Sequence, residues 1–325
     1  MRIVVFGRTQ RLTRTSEIIA AAFRELGHDV RMVHYGRWTE RLGRRLGDAL
    51  LGAAMRRFRP EFVLVWKTCI SPALLRRLTQ GCKSAVYCVD WFQELPEDLC
   101  ELARIADLFL LTNRGQLDLY RRHGARRPAT WLQAFDPKTH VAREPAPAGM
   151  RCDVAFIGRP GVPARRELLA RVDAEFDLKI WGLRWEELAD RYRGVQQRSI
   201  VPEQYPLVCR AAKVILGRDA TIDVDLYFSD RLWLTLGSGG FLVTNYVPGL
   251  EELFENHKHL VWYRSPDECV EQIRHYLPRD EERLRIAEAG RDLVVRNHTY
   301  VHRARELLQM LAAVPQKAAQ GGTAG

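Results

Sequence analysis

Phe62-Val-Leu-Val-Trp66, then Ser71-Pro-Ala-Leu-Leu-Arg-Arg-Leu-Thr79, then Ala85-Val-Tyr-Cys-Val89 decide how this chain folds. The outer two runs are short, apolar and rich in β-branched and aromatic residues, which reads as two strands. The middle run has helical periodicity and opens with Ser71 as N-cap and Pro72 at the first helical position. Strand, capped helix and strand in this order predict neighbouring parallel strands of a doubly wound α/β sheet.

The pattern extends both ways. Ile3 to Phe6, Asp29 to Val33, Leu108 to Leu111 and Thr130 to Leu132 read as further strands, with amphipathic helices over Ser16 to Leu26 and Trp38 to Phe58. Val141-Ala-Arg-Glu-Pro-Ala-Pro-Ala-Gly-Met150 has no apolar period and reads as a linker. A second series follows, with strands at Asp153 to Ile157, Leu178 to Trp181, Val214 to Leu216, Phe241 to Thr244 and Leu260 to Trp262. Ser265, Pro266 and Glu268 form a capping box for the next helix, and the last helices span about 280–295 and 299–311. The expected organisation is a domain over 1–140, a linker over 141–150 and a domain over 151–298. A helix over 299–314 returns to the first domain, and 315–325 is a tail without order.

Composition limits the function classes. The 325 residues are 46% hydrophobic and 28% charged, and no window reaches the roughly 18 uncharged apolar residues of a membrane-crossing helix. The apolar run near Met1 is too short for a signal peptide. Seven cysteines, an odd number with no Cys-x-x-Cys, read as reduced core residues of a cytoplasmic protein. The net charge of +10 lies wholly in residues 1–150, where 25 Lys and Arg face 15 Asp and Glu.

Ligands of open parallel sheets sit beyond the carboxyl ends of the strands, so the residues just past each strand are the candidates. Gly7-Arg8-Thr9-Gln10 begins like a dinucleotide loop but lacks the later glycines, and no G-x-S-x-G, H-E-x-x-H or P-loop pattern occurs. Asp223-Val-Asp225 has the D-x-D form of a metal clamp, but among 40 acidic residues the motif reads as chance, and no metal is assigned. Gly237-Ser-Gly-Gly240 fits a helix C-cap and equally a backbone that approaches a ligand.

At this point several separated motifs, in order, resemble one family. They are Lys67 to Leu75, Val86 to Asp90, Trp131-Leu132 to Asp136-Pro137 and His140, Asp153 to Gly158, Ser229-Asp230-Arg231, Gly239 to Thr244, Gly249 to Phe254 and His298-Thr-Tyr-x-x-Arg303. The chain resembles the CgeB-like (spore-maturation protein) glycosyltransferases. The resemblance implies a GT-B fold, two Rossmann-like doubly wound domains facing a central cleft, and sugar transfer from a nucleotide donor without metal or other cofactor. The donor, linked to UDP, GDP or dTDP, falls to the second domain, and the candidates there are Gly158, Arg159, Lys213, Arg218, Arg231, Ser238, Gly239, Gly240, Asn245, Gly249 and Glu251. Arg231 leads as the cation for the diphosphate, the Ser238 to Gly240 turn offers N–H groups, and Glu251 suits ribose hydroxyls. One departure matters: the E-x7-E pair of many GT-B enzymes is replaced by Leu226 and Leu234, which leaves retention or inversion and the sugar open.

The first domain takes the acceptor, with Arg8, Arg11, Arg14 and Lys67 on that side. An inverting reaction needs a base, for which Asp90 and then His34 are the candidates. The helix from Trp38 has an apolar face of Trp38, Leu42, Leu46, Leu50, Ala53, Ala54 and Phe58 beside Arg37, Arg41, Arg44, Arg45, Arg56, Arg57 and Arg59. It reads equally as a sheet-packing helix or as a basic helix at the inner face of a membrane or along an anionic acceptor. The acceptor is expected to be anionic: lipid-linked, glycan, surface polymer, protein or, less favoured, nucleic acid. Two rivals stand beside transfer: a nucleotide-sugar epimerase on the same fold, and a degenerate, non-catalytic binding or assembly protein.

Overall fold

The computed structural model describes residues 1–7, 14–196 and 202–315, which form two compact units, 1–133 with 300–315 and 134–299. Arg8, Arg11 and the tail from 316 lie outside the described residues.

Unit 1 alternates strand and helix: β1 (Arg2–Gly7), α1 (Thr15–Glu25), β2 (Asp29–His34), α2 (Tyr35–Phe58), β3 (Phe62–Trp66), α3 (Pro72–Leu78), β4 (Lys83–Cys88), α4 (Glu97–Ile105), β5 (Leu108–Leu111), α5 (Leu117–Arg122) and β6 (Pro128–Thr130). The strands lie in the order β2-β1-β3-β4-β5-β6 and every pair is parallel. Every residue of β3 and β5 is buried. A parallel sheet is covered on both faces, which is why these strands are apolar throughout instead of alternating. Ser71 caps α3 by accepting from the Leu74 N–H. The last strand ends at Thr130, so Trp131 and Leu132 lie beyond it.

Unit 2 runs β7 (Cys152–Ile157), α6 (Pro163–Glu175), β8 (Leu178–Trp181), β9 (Val195–Gln196), α7 (Tyr205–Ala211), β10 (Ala212–Leu216), α8 (Arg231–Gly237), β11 (Leu242–Asn245), β12 (Val261–Tyr263), α9 (Pro266–Tyr276) and α10 (Asp280–Asn297). Its order, β12-β11-β10-β7-β8-β9, is again fully parallel. The chain winds outward from β7 to β9, then returns to place β10 on the other side of β7. The carboxyl ends of β7 and β10 therefore flank the point where the winding reverses. At the start of α9, Ser265 Oγ accepts from the Glu268 N–H, while the Glu268 carboxylate reaches past the cap to the Arg264 N–H.

The final helix, α11 (Tyr300–Ala312), belongs to unit 1, where it packs on α1. The buried Trp131 indole donates to the Arg303 carbonyl at 2.8 Å, and Lys83 Nζ donates to the Leu311 carbonyl at 2.6 Å. All seven cysteines are buried, and none is in a disulfide.

The reading of α2 needs correction. Trp38, Leu42, Leu46 and Leu50 do not pack on the sheet; they are 37–51% exposed. The buried positions are Tyr35, Gly47, Leu51, Gly52, Met55 and Phe58. The cause is Gly43, at φ 73° and ψ 160°, a backbone conformation open almost only to glycine. It folds the helix back on itself, so that Gly47 lies against the Trp38 carbonyl and Tyr35 Oη donates to Asp48 Oδ1 at 2.6 Å. Residues 13 apart in a straight helix would stand roughly 20 Å from one another.

Candidate functional site

The densest polar cluster of unit 2 lies at the reversal point between β7 and β10. Arg231 begins α8 and is 7% exposed. Its Nε donates to the Ile157 carbonyl at 2.8 Å and its Nη1 to Ser229 Oγ at 3.1 Å, while Nη2 lies over Gly158. Arg165, from the first turn of α6, is 8% exposed and donates to the carbonyls of Arg218 and Arg159 at 2.8 and 3.0 Å. Both guanidinium groups rest on the Phe156 ring, with centroid distances of 4.7 Å for Arg231 and 5.7 Å for Arg165. Phe156 is fully buried, so it holds both cations in place from the apolar side.

Two carboxylates, Asp219 and Asp230, approach these cations. Asp219 Oδ1 is 4.0 Å from Arg231 Nη1 and accepts from the Ser229 N–H at 3.0 Å. Burial raises the pKa of Asp230 from its ordinary 3.8, with Arg231 and His140 opposing the rise. Burial, and then repulsion from Arg231, lowers the Arg165 guanidinium to about 10, so it stays charged at neutral pH. With Arg218 the cluster has three cations, two of them desolvated. Such a place favours a multivalent anion, because desolvated, pre-aimed guanidinium groups need no rearrangement to receive it.

Beside it, the carboxyl ends of β10, β11 and β12 and the first turns of α6 and α9 enclose a cavity of about 400 Å³. Arg218, Asn245, Tyr246, Tyr263 and Arg264 line it. Asn245 is buried; its Oδ1 accepts from the Asp219 N–H at 2.7 Å and so ties the cavity to the cationic cluster. The Arg264 guanidinium stacks 3.6 Å above the Tyr246 ring, and Tyr246 Oη donates to the Glu251 carboxylate at 3.0 Å.

The structure brings together Gly158, Arg218, Arg231 and Asn245, and through Tyr246 it adds Glu251. Gly249, at φ +83°, begins the turn that presents Glu251. The Arg159 carbonyl joins the cluster, but its side chain is exposed. Other candidates are elsewhere. Lys213 sits at the amino end of β10, paired with Asp153 at 2.9 Å. Ser238, Gly239 and Gly240 lie where α8 hands over to β11, also at the amino edge of the sheet. Their N–H groups already donate to the carbonyls of Leu234, Leu236 and Thr235, so this turn closes the helix and has no N–H left for a phosphate. Asp219 and Arg264 satisfy the strand-end rule but were not assigned to the donor, and Arg165 and Tyr246 were not among the sequence candidates. Arg165 carried one signal, its place in the first helical turn after a strand end.

In unit 1, Lys67 adopts φ 50° just past β3, and its ammonium hydrogen-bonds the Asp90 carboxylate just past β4. His34, at the end of β2, has Nε2 3.5 Å from Glu17 Oε1 and a buried Nδ1 with no hydrogen-bond partner among the described residues. Arg14 is exposed at the start of α1.

Comparison with known proteins agrees with this architecture. Residues 163–309 match a family model described as glycosyl transferase-like. Sucrose-phosphate synthase from Thermosynechococcus elongatus superposes with a TM-score of 0.70 over 96% of this chain and 98% of its own, at 12% identity. The chain has the GT-B fold, and its residues 163–309 form a glycosyl transferase-like domain. HepE of Anabaena, solved with UDP-glucose, has a similarly close GT-B structure: TM-score 0.68, 11% identity, 96% of this chain and all of that one. An α-glucosyltransferase solved with UDP and a 13-mer DNA reaches TM-score 0.66 at 11% identity, over 96% and 99% of the two chains. No curated protein matches the GT-B chain in sequence.

Proposed function

We propose that the diphosphate of a UDP-linked sugar occupies the Arg165–Arg231 cluster and that its nucleoside lies in the adjoining cavity. The observation that carries this is the pair of buried guanidinium groups on one phenylalanine ring at the reversal point of the second sheet. The cations supply the neutralisation that a metal ion would otherwise give, so the transfer is read as metal-independent. Tyr246 and Arg264 give the uridine a flat wall, and Glu251 orients Tyr246. HepE and the α-glucosyltransferase, which bind UDP, supply the choice of nucleotide.

The acceptor belongs to unit 1, whose residues account for the excess of positive charge, and it is read as anionic. Lys67 would meet its charge, and Asp90 or His34 would take its proton in an inverting transfer. The finer kinship to the CgeB-like group rests on the order of the shared motifs.

A thermal-shift series with UDP, GDP, dTDP, ADP and CMP tests the donor site. UDP should raise the melting temperature most; a ligand at a hundred times its Kd adds about 2.7 kcal/mol of stability. Equal, null responses to all five would refute the donor reading. Arg231→Ala should then lose the UDP response.

A further inference from the structure

The fold-back in α2 leaves a surface that the donor site does not use. Among the described residues eight large apolar side chains are exposed, and four of them, Trp38, Leu42, Leu46 and Leu50, lie on this hairpin. Each pair is spaced i, i+4, so each helical arm carries its own apolar ridge. Arg37, Arg41, Arg44 and Arg45 alternate with the ridges and are exposed. Glu40 is the only exposed carboxylate between Tyr35 and Phe58, because Asp48 is half-buried and accepts from both Tyr35 and Ser71.

We infer that this hairpin docks unit 1 on an anionic lipid surface. The apolar and charged residues have to be satisfied by one partner at once. A bilayer interface offers acyl chains to the tryptophan and leucines within a few ångströms of phosphates for the arginines, whose long stems let the charge stay at headgroup level. A nucleic acid would satisfy the arginines, but it gives three leucines nothing apolar to enter. The Gly43 break fits the same use, since it presents two short arms side by side. The inference does not depend on which nucleotide the other unit binds.

The full chain should co-sediment with vesicles of phosphatidylcholine and phosphatidylglycerol, and not with phosphatidylcholine alone. Binding should weaken as salt rises. Leu46→Ser with Leu50→Ser should lower the bound fraction about tenfold, and Arg41→Gln with Arg44→Gln and Arg45→Gln should do the same. Both variants alter exposed side chains, so their melting temperatures and UDP responses should match the parent's. Brominated acyl chains should quench tryptophan emission in the parent and lose most of that effect in Trp38→Phe. Three results would overturn the inference: no pelleting with anionic vesicles, pelleting that the leucine variant leaves unchanged, or tighter binding to duplex DNA that ignores the leucines. Self-association of the free chain that disappears in the leucine variant would equally replace lipid with a second copy.

Discussion

Gly158→Ala tests the donor cluster with one methyl group. A Cβ at this position would lie 2.5 Å from Arg231 Nη2 and 3.2 Å from two atoms of the Phe156 ring. Phe156 is fully buried and cannot retreat, so the guanidinium must withdraw by about 1 Å to reach ordinary contact. That plane is rigid and is pinned through Nε to Ile157 and through Nη1 to Ser229. Moving it weakens both bonds, at a cost of about 1 kcal/mol each. Gly158 does not have a positive φ, so alanine is conformationally allowed and stiffens the unfolded chain, which offsets about 0.4–1 kcal/mol. The folded protein should therefore survive with a small loss of melting temperature.

Donor handling should suffer far more. A pre-aimed charged donor displaced from its position forfeits about 2–4 kcal/mol of transition-state stabilisation, which is roughly 30- to 1,000-fold in kcat/KM. Calorimetric titration with UDP and steady-state rates with the UDP-sugar measure the two effects separately. Folded Gly158→Ala protein that binds UDP and turns over like the parent would show that Arg231 does not grip the diphosphate. Arg231→Lys is the companion: it keeps the charge but loses the fork, so it should fall between parent and Gly158→Ala.

Three further outcomes follow from the structure. Gly43→Ala meets no atom within 4 Å, so its whole cost is backbone strain of about 1–3 kcal/mol, read as a lower melting temperature; an unchanged melt would mean the hairpin does not need that conformation. The Lys67–Asp90 pair is 21% and 48% exposed, so Asp90→Asn should change stability by less than about 1 kcal/mol. If Asp90 is the base, the same variant lowers kcat by about a hundredfold or more with UDP affinity intact, and full turnover passes the role to His34. Burial holds the His140 pKa below its ordinary 6.5, so between that lower value and 6.5 the unfolded chain binds the extra proton. Stability is then full above pH 6.5, falls as the pH drops below it, and levels off beneath the folded pKa; His140→Gln should flatten this slope in melts taken across that range.

What the sequence disclosed depended on how local the cause was. The strands β3 and β5 were legible to the residue because burial on both faces makes them continuous apolar runs. Ser71 and Ser265 announced their helices because each is followed by proline. The edge strand β9 is two residues long and too short to carry any period. The break in α2 was hidden among Gly36, Gly43, Gly47 and Gly52, any of which a helix tolerates; contacts between Gly47 and Trp38, and between Tyr35 and Asp48, select Gly43. Among the site residues, Asn245 and Arg218 follow from the strand-end rule, and Arg231 from the motif shared with the family the chain resembles. Arg165 does not, because its role depends on β7 and β10 becoming neighbours, which brings it to the carbonyl of Arg218, 53 residues further along the chain.

The same distinction explains why the proposed anion site lies in the charge-balanced half of the sequence. Many charges there lie in surface pairs, such as Arg171 with Asp267, Arg274 with Glu175 and Lys213 with Asp153, which neutralise one another in water. Arg165 and Arg231 are out of water, where a unit charge at 4 Å exerts about 4 kcal/mol at an effective dielectric of 20 instead of about 1 in bulk. Two such cations outweigh a larger excess spread over a wet surface. The surplus of the first half is of that second kind: Arg37, Arg41, Arg44 and Arg45 are exposed, and alone each is screened within about 10 Å at moderate salt. They gain strength only against a surface that is itself densely charged and that also takes up the leucines between them. Net charge therefore points to opposite places for the two partners, a buried pair of arginines for the small anion and an exposed array for the extended one.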